Sequence, residues 1–318
     1  MQLPTVSDVY HARRRLSARL PKTPLLPSAW LSSLSGASVV LKIESLNLTN
    51  SFKIRGAFNA ALRLRERLDR DTTIVAASAG NHGRALALAT EELGMPCVIF
   101  TPASAPEAKR NAIRRHGAAL HVCADYDEAE QQAKAFAAVK GGVYVSPYND
   151  ADVIAGAGTI GLEIVETMPA VDVVVVPLGG GGLASGIGLA LKAAAPNATI
   201  VGVEVEASSP FTVSLQAGRI TQIVPGPSLA DGLVGNLESG AMTFTLVSKV
   251  VDDVVTINES QLANAMRGLA AEERLIVEGA GAAAVAAVMA GKASRGRNVI
   301  AMVTGGNVDL AKWKSVIA

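Results

Sequence analysis

The chain has 318 residues, 49% of them apolar and 18% charged, with 29 lysines and arginines against 28 aspartates and glutamates. It is long enough to bury two cores and too apolar for disorder. A net charge of +1 creates no overall field that would draw the molecule to nucleic acid or to an anionic membrane, so any anion is bound locally and the expected partner is a small molecule.

Near the start, Arg13, Arg14, Arg15 and Arg19 stand among Tyr10, Leu16 and Leu20. Without an apolar core this segment predicts a surface helix rather than a targeting peptide. From residue 73 onward, short apolar runs alternate with longer Ala-rich segments. Strands are predicted at 73–77, 97–100, 120–122, 171–177, 200–205 and 299–303. Helices are predicted at 83–93, 105–116, 127–139, 156–167, 182–195 and 259–273, the last with Asn258 or Ser260 available as a cap. The alternation predicts an α/β fold with parallel sheets flanked by helices.

The most apolar stretch, 171–191, is broken by Pro177 and a glycine cluster and cannot form one membrane-spanning helix. Cys97 and Cys123 are the only cysteines, each in an apolar strand-like run where a thiol serves as a small hydrophobe. No disulfide framework or metal motif follows, which points to the cytoplasm. With no repeat and no long polar linker, a second domain is inserted rather than appended. We expect a small lobe at 73–148 within a large domain made of 1–72 and 149–318.

Four segments carry chemistry. In Asn50-Ser51-Phe52-Lys53-Ile54-Arg55-Gly56-Ala57 a lysine sits between aromatic and aliphatic residues before a helix-like run. Burial there would favour the neutral amine that imine formation needs, although a snorkelling surface lysine fits the local sequence as well. After the strand at 171–177, Gly179-Gly180-Gly181-Gly182 opens a helix, so free N–H groups can cradle a phosphate. This loop lacks the Lys-Ser/Thr ending of a P-loop and the spacing of a dinucleotide fingerprint. It can also be just a tight turn. Ser78-Ala79-Gly80-Asn81-His82-Gly83 again joins strand to helix and suits a carboxylate, with His82 as a structural hydrogen-bonding group or an acid-base residue. Thr304-Gly305-Gly306-Asn307 ends the last strand and offers a neutral hydroxyl.

Together with Lys22-Thr23-Pro24-Leu25, these segments, in this order, resemble the serine/threonine dehydratase group of the fold-type II, tryptophan synthase β-like pyridoxal phosphate enzymes. The resemblance covers nearly the whole chain. It implies that Lys53 carries pyridoxal 5'-phosphate as an imine. Gly179, Gly180, Gly181, Gly182 and Leu183 would hold its phosphate, Asn81 would face the ring hydroxyl, Thr304 the ring nitrogen, and Phe52 would flank the ring. Ser78, Ala79, Asn81 and His82 would form the substrate-carboxylate loop. The large domain would hold the cofactor and the small lobe would close on substrate, in a homodimer. The implied reaction is dehydrative deamination of a β-hydroxy-amino acid such as L-threonine or L-serine to a 2-oxo acid and ammonia.

Related readings are a lyase acting on phenylserine, 3-hydroxyaspartate or a hydroxyectoine-derived compound, and a serine racemase. A small-molecule-binding protein on a degenerate scaffold is the non-enzymatic alternative. Similar racemases place a second serine where this chain has Ala79, and a methyl group cannot transfer a proton, so elimination is expected to dominate. Metal-activated relatives follow a glutamate with an aspartate. Here Glu204 is present but Pro210 stands at the aspartate's place, so no metal set is assigned. Asp231 and Glu278 match segments near the cofactor, or simply fix turns.

Overall fold

A computed structural model describes residues 2–78, 80–293 and 296–317. Its strands are β1 (Leu25–Pro27), β2 (Ser38–Ile43), β3 (Ile74–Ala77), β4 (Cys97–Pro102), β5 (Ala119–Cys123), β6 (Val143–Tyr144), β7 (Val173–Pro177), β8 (Thr199–Val205), β9 (Asp253–Ile257) and β10 (Asn298–Val303). The helices are α1 (Val6–Leu16), α2 (Ala29–Ser35), α3 (Lys53–Arg67), α4 (Asn81–Leu93), α5 (Glu107–Arg114), α6 (Tyr126–Lys140), α7 (Ala151–Thr167), α8 (Gly182–Ala194), α9 (Pro210–Ala217), α10 (Met242–Val250), α11 (Glu259–Glu273), α12 (Gly279–Met289) and α13 (Leu310–Ile317).

Valine-rich runs such as β7 are buried along their whole length because helices cover both faces of a parallel sheet. The larger sheet runs β1-β2-β10-β7-β8-β9, parallel throughout except that β1 pairs antiparallel with β2. A second sheet, β5-β4-β3-β6, is wholly parallel and comes from chain lying between β2 and β7. The α/β expectation therefore holds. All six predicted strands are present, and β1, β2, β6 and β9 add to them.

Local chemistry explains the element ends. Asn258, not Ser260, caps α11, accepting from Gln261 N while Gln261 returns a bond to the Asn258 N–H. The helix predicted from residue 156 begins instead at Ala151, where the Asp150 carboxylate accepts from Asp152 N and Val153 N. The Arg-rich start is α1, which buries Val9, Ala12 and Leu16 and pairs Arg13 with Glu166 through two hydrogen bonds. Glu204 at the end of β8 spans to the first turn of α9, accepting from Phe211 N at 2.7 Å, Thr212 N at 2.8 Å and Thr212 Oγ1 at 2.6 Å. That carboxylate caps a helix.

Beneath α3 lies a buried ionic knot. Arg55, two residues beyond Lys53, donates to both oxygens of Glu44 at 2.8 and 2.9 Å and to both oxygens of Glu163 at 2.7 and 2.9 Å. Lys42, fully buried in β2, donates to Glu163 at 2.5 Å and to Thr23 O at 2.8 Å. Two positive and two negative groups cancel, and each is hydrogen-bonded, which is what burial of charge requires. The knot ties β2, α3 and α7 together and fixes the helix whose first residue is Lys53.

Candidate active site

The candidate segments gather at the carboxyl ends of β3, β7 and β10, where ligands bind in parallel sheets. Asn50 to Phe52 is stitched to the Thr304 loop: Phe52 N donates to Thr304 O at 3.0 Å, and Gly306 N donates to Asn50 O at 2.9 Å. Lys53 and Thr304 are thereby held side by side although the chain separates them widely. Lys53 reaches across to Pro147 O at 2.7 Å, and its ammonium lies 5.1 Å from the Phe52 ring centroid. Its side chain is half-buried, and dense surrounding protein pushes its pKa down to about 8, against the pull of the Glu278 carboxylate. A fraction of neutral amine is therefore present near neutrality.

Pro147 and Tyr148 were not singled out in the sequence. Tyr148 packs its ring on the glycine loop, and a Cβ at Gly180 would overlap that ring. Gly181 adopts a φ of +84, left-handed backbone that suits glycine. Close approach and turn geometry together account for the glycine cluster. Ser185 N is the first N–H to find a carbonyl of this turn, Gly181 O, so the N–H groups of Gly182, Leu183 and Ala184 point out of the end of α8. This is an anion-binding arrangement.

In the carboxylate loop, Ser78 Oγ accepts from Gly80 N at 3.2 Å and Gly83 N at 2.9 Å. Its oxygen is occupied and its hydrogen is free to donate. Ala79 lies outside the described residues. Asn81 Nδ2 donates to Glu278 Oε1 at 2.6 Å, and Asn81 Oδ1 accepts from Asn307 Nδ2 at 2.8 Å. His82 is buried with Nε2 at 3.2 Å from Val145 O. That partner is an acceptor, so Nε2 carries the proton and Nδ1 is an acceptor, left without a partner. Burial first, then the nearby Lys53 charge, push the imidazole pKa down to about 3. Near neutrality His82 does not exchange protons.

Thr304 is buried, with its hydroxyl 3.3 Å from Ala280 O. Glu278 opens α12 and burial pushes its pKa up to about 7. Asp231 instead pairs with Lys109 at 3.0 Å on the cleft wall. A cavity of about 240 Å³ adjoins this network, lined by Asn81, Arg84, Lys109, Arg115 and Asn307, but not by Lys53 or the glycine loop. Among the described residues no group of three or more metal-ligating side chains converges.

The residues fit pyridoxal phosphate. An amine, a phosphate-sized N–H cradle and a neutral hydroxyl converge, and Ser51 Oγ, His82 Nδ1 and Ser185 Oγ are buried without protein partners, as expected around a polar occupant. The family model for "Pyridoxal-phosphate dependent enzyme" matches residues 16–305. The chain belongs to this family. It is 42% identical to the L-threonine ammonia-lyase of Thermotoga maritima, over 96% of this chain and 76% of that protein. It is 35% identical to the catabolic L-threonine dehydratase of Escherichia coli, over 98% and 95%. The solved structure of maize serine racemase superposes with a TM-score of 0.92 at 30% identity, covering 99% of this chain and 97% of that one. Within the family the fold is the fold-type II arrangement of parallel sheets flanked by helices.

Proposed function

We propose that the chain is a pyridoxal-phosphate-dependent ammonia-lyase that takes a small β-hydroxy-amino acid, L-threonine or L-serine, to a 2-oxo acid and ammonia. The observation that carries this reading is the Lys53 amine, its pKa lowered to about 8, set between a phosphate cradle and a carboxylate loop. Relatives named as threonine ammonia-lyase and dehydratase support the substrate class.

Bound pyridoxal phosphate supplies an electron sink for charge developing at the substrate α-carbon. The loop Gly179 to Gly182 with Leu183, whose Gly182 and Leu183 N–H groups point out of the end of α8, would hold the phosphate, Phe52 would flank the ring, and the second Asn81 Nδ2 hydrogen would serve the ring hydroxyl. Thr304 would offer the ring nitrogen a neutral group rather than a full charge. The Ser78 hydroxyl hydrogen and the N–H groups opening α4 hold the substrate carboxylate. His82 contributes its backbone N–H there, because its imidazole has no proton to donate in that direction. A neutral Lys53 amine would take the α-proton, that proton and the β-hydroxyl would be lost together as one water, and the enamine left behind would tautomerise and be hydrolysed by a second water to the 2-oxo acid and ammonia.

The likeness to serine racemase favours a second reading, racemisation. Ala79 argues against it, since similar racemases carry a proton-transferring serine at that position of the sequence. The assay that decides is 2-oxo acid release from L- and D-serine, L-threonine, 3-hydroxyaspartate, phenylserine and a hydroxyectoine-derived substrate, with D-serine formation followed in parallel. D-serine appearing faster than pyruvate would reverse the assignment. Lys53→Ala should lose the visible absorbance of the bound cofactor and all turnover; normal activity in that variant refutes the mechanism. Protein that gains no such band with added pyridoxal phosphate is a binding protein on the same scaffold.

The reading extends to the whole molecule. The lobe at 73–148 closes over substrate within the larger domain, supported by Lys109–Asp231 at 3.0 Å and Lys134–Glu238 at 3.3 Å across the cleft. Exposed Leu46, Leu48 and Ile276 support a homodimer. Two buried free cysteines support a reducing cytoplasm, and no described helix is long and apolar enough to cross a membrane.

A further inference from the structure

We propose that Glu278 is a positioning residue, whose carboxylate fixes which face of the Asn81 amide is turned to the bound ring and supplies the negative charge opposite Lys53. The inference rests on the pyridoxal phosphate reading above.

An asparagine amide presents a donor on one side and an acceptor on the other, and its orientation is set by its neighbours. Here the donor-only Arg84 guanidinium and the acceptor-only Thr49 carbonyl fix the orientation of the string. The Arg84 guanidinium can only donate, and Nη1 does so to Asn307 Oδ1 at 2.7 Å. Asn307 Nδ2 therefore faces the other way, donating to Thr49 O at 2.7 Å and to Asn81 Oδ1 at 2.8 Å. Asn81 Nδ2 is then the donor to Glu278 Oε1 at 2.6 Å. The string Arg84, Asn307, Asn81, Glu278 runs from a cation to a carboxylate with every bond pointing the same way, which polarises each link. One Asn81 hydrogen remains, and it is available to the ring.

The backbone makes room for this arrangement. Glu278 N donates to Gly305 O at 3.1 Å, and a Cβ on Gly305 would collide with Glu278 Oε1. Gly305, in the loop of Thr304, thus leaves the space that the Glu278 carboxylate fills, and a side chain there would push that carboxylate aside. The charged groups facing Glu278 are Lys53 from α3, Lys109 from α5 and Asp231 from the loop before α10. Its attraction opposes the loss of charge that burial imposes on Lys53. Burial brings Glu278 to about 7, so the charge in the site changes near neutrality.

The test uses wild-type holoenzyme, Glu278→Gln and Glu278→Ala, reading the pH dependence of bound-cofactor absorbance and the cofactor Kd by fluorescence quenching. Wild type should show a spectral transition centred near 7. Glu278→Gln, whose carbonyl still accepts from Asn81, should lose that transition and keep its cofactor Kd within about threefold. Glu278→Ala should bind cofactor about tenfold more weakly, the equivalent of one hydrogen bond. An unchanged transition in Glu278→Gln, or wild-type affinity in Glu278→Ala, overturns the proposal. Should Glu278→Ala not fold, the Glu278→Gln transition decides alone. A wild-type protein with no visible band at all refutes the cofactor reading itself, which separates the two failures.

Discussion

His82 contributes a share of the acid sensitivity that belongs to a single side chain. Its folded pKa of about 3 lies below the ordinary 6.5, so between these values the unfolded chain binds more protons than the folded one. Stability contributed by neutral His82 is present above about 6.5 and is lost as pH falls toward 3. Glu278 has the opposite sign, because its carboxyl is raised from 4.5 to about 7 and stability declines as pH rises through that interval. Thermal melts should therefore show a loss below pH 6.5 that is reduced in His82→Asn; an identical acid limb in the variant would assign the effect elsewhere. Gly180 is governed by space alone. Gly180→Val should displace the Tyr148 ring, weaken cofactor binding and destabilise the fold by about 1–3 kcal/mol, checked by denaturant titration of the apoprotein and by cofactor Kd. The sequence indicated a glycine loop at this position; it gave no sign that a tyrosine ring lies on it.

Among the elements, α3 shows how a catalytic candidate is held from below. Removing one partner from the Arg55 knot leaves a buried charge uncompensated, a loss of about 3–5 kcal/mol. Glu163→Ala should lower the denaturant midpoint accordingly, while Glu166→Ala, whose carboxylate is 43% exposed, should change it little. Equal effects of the two would show that burial is not what makes the knot matter. The same knot explains why β2 escaped notice. Lys42 interrupts an otherwise apolar run, and only the tertiary partners Glu163 and Thr23 make a buried lysine tolerable in a strand. The helix α12 escaped for the converse reason: it is alanine-rich and buried on nearly all sides, so it carries no apolar-polar period to read. The edge strand β9 is only partly covered and lacks the continuous apolar run that marks β7.

For the molecule as a whole, β3 and α4 of the second sheet's layer pack on α3 and α7 through one shared apolar cluster, and polar contacts complete the junction on the side of the glycine loop. Glu238 gathers two of these polar contacts, accepting from Lys134 at 3.3 Å and Ser146 at 3.2 Å, and also accepts from the adjoining Asn149 at 3.5 Å. If the small lobe closes on substrate, Glu238→Ala should raise KM for the hydroxy-amino acid by roughly twofold to fivefold, the range of partly exposed ion pairs. Cofactor absorbance should not change, because Glu238 does not reach Lys53. A fall in kcat at constant KM would place Glu238 in the chemistry rather than in closure.

The sequence by itself determined the parallel α/β class, the order of the loops at Lys53, Ser78, Gly179 and Thr304, and the resemblance they carry. Those features are local: strand runs, glycine turns and helix starts are set by neighbours a few residues away. Tertiary structure alone decided the electrostatics of the site. Whether Lys53 lies near 8, whether His82 can exchange a proton and which side of Asn81 donates all depend on burial and on partners remote in the chain, namely Pro147, Val145, Glu278 and Asn307. Desolvation and hydrogen-bond direction act through space, and adjacent sequence does not encode them.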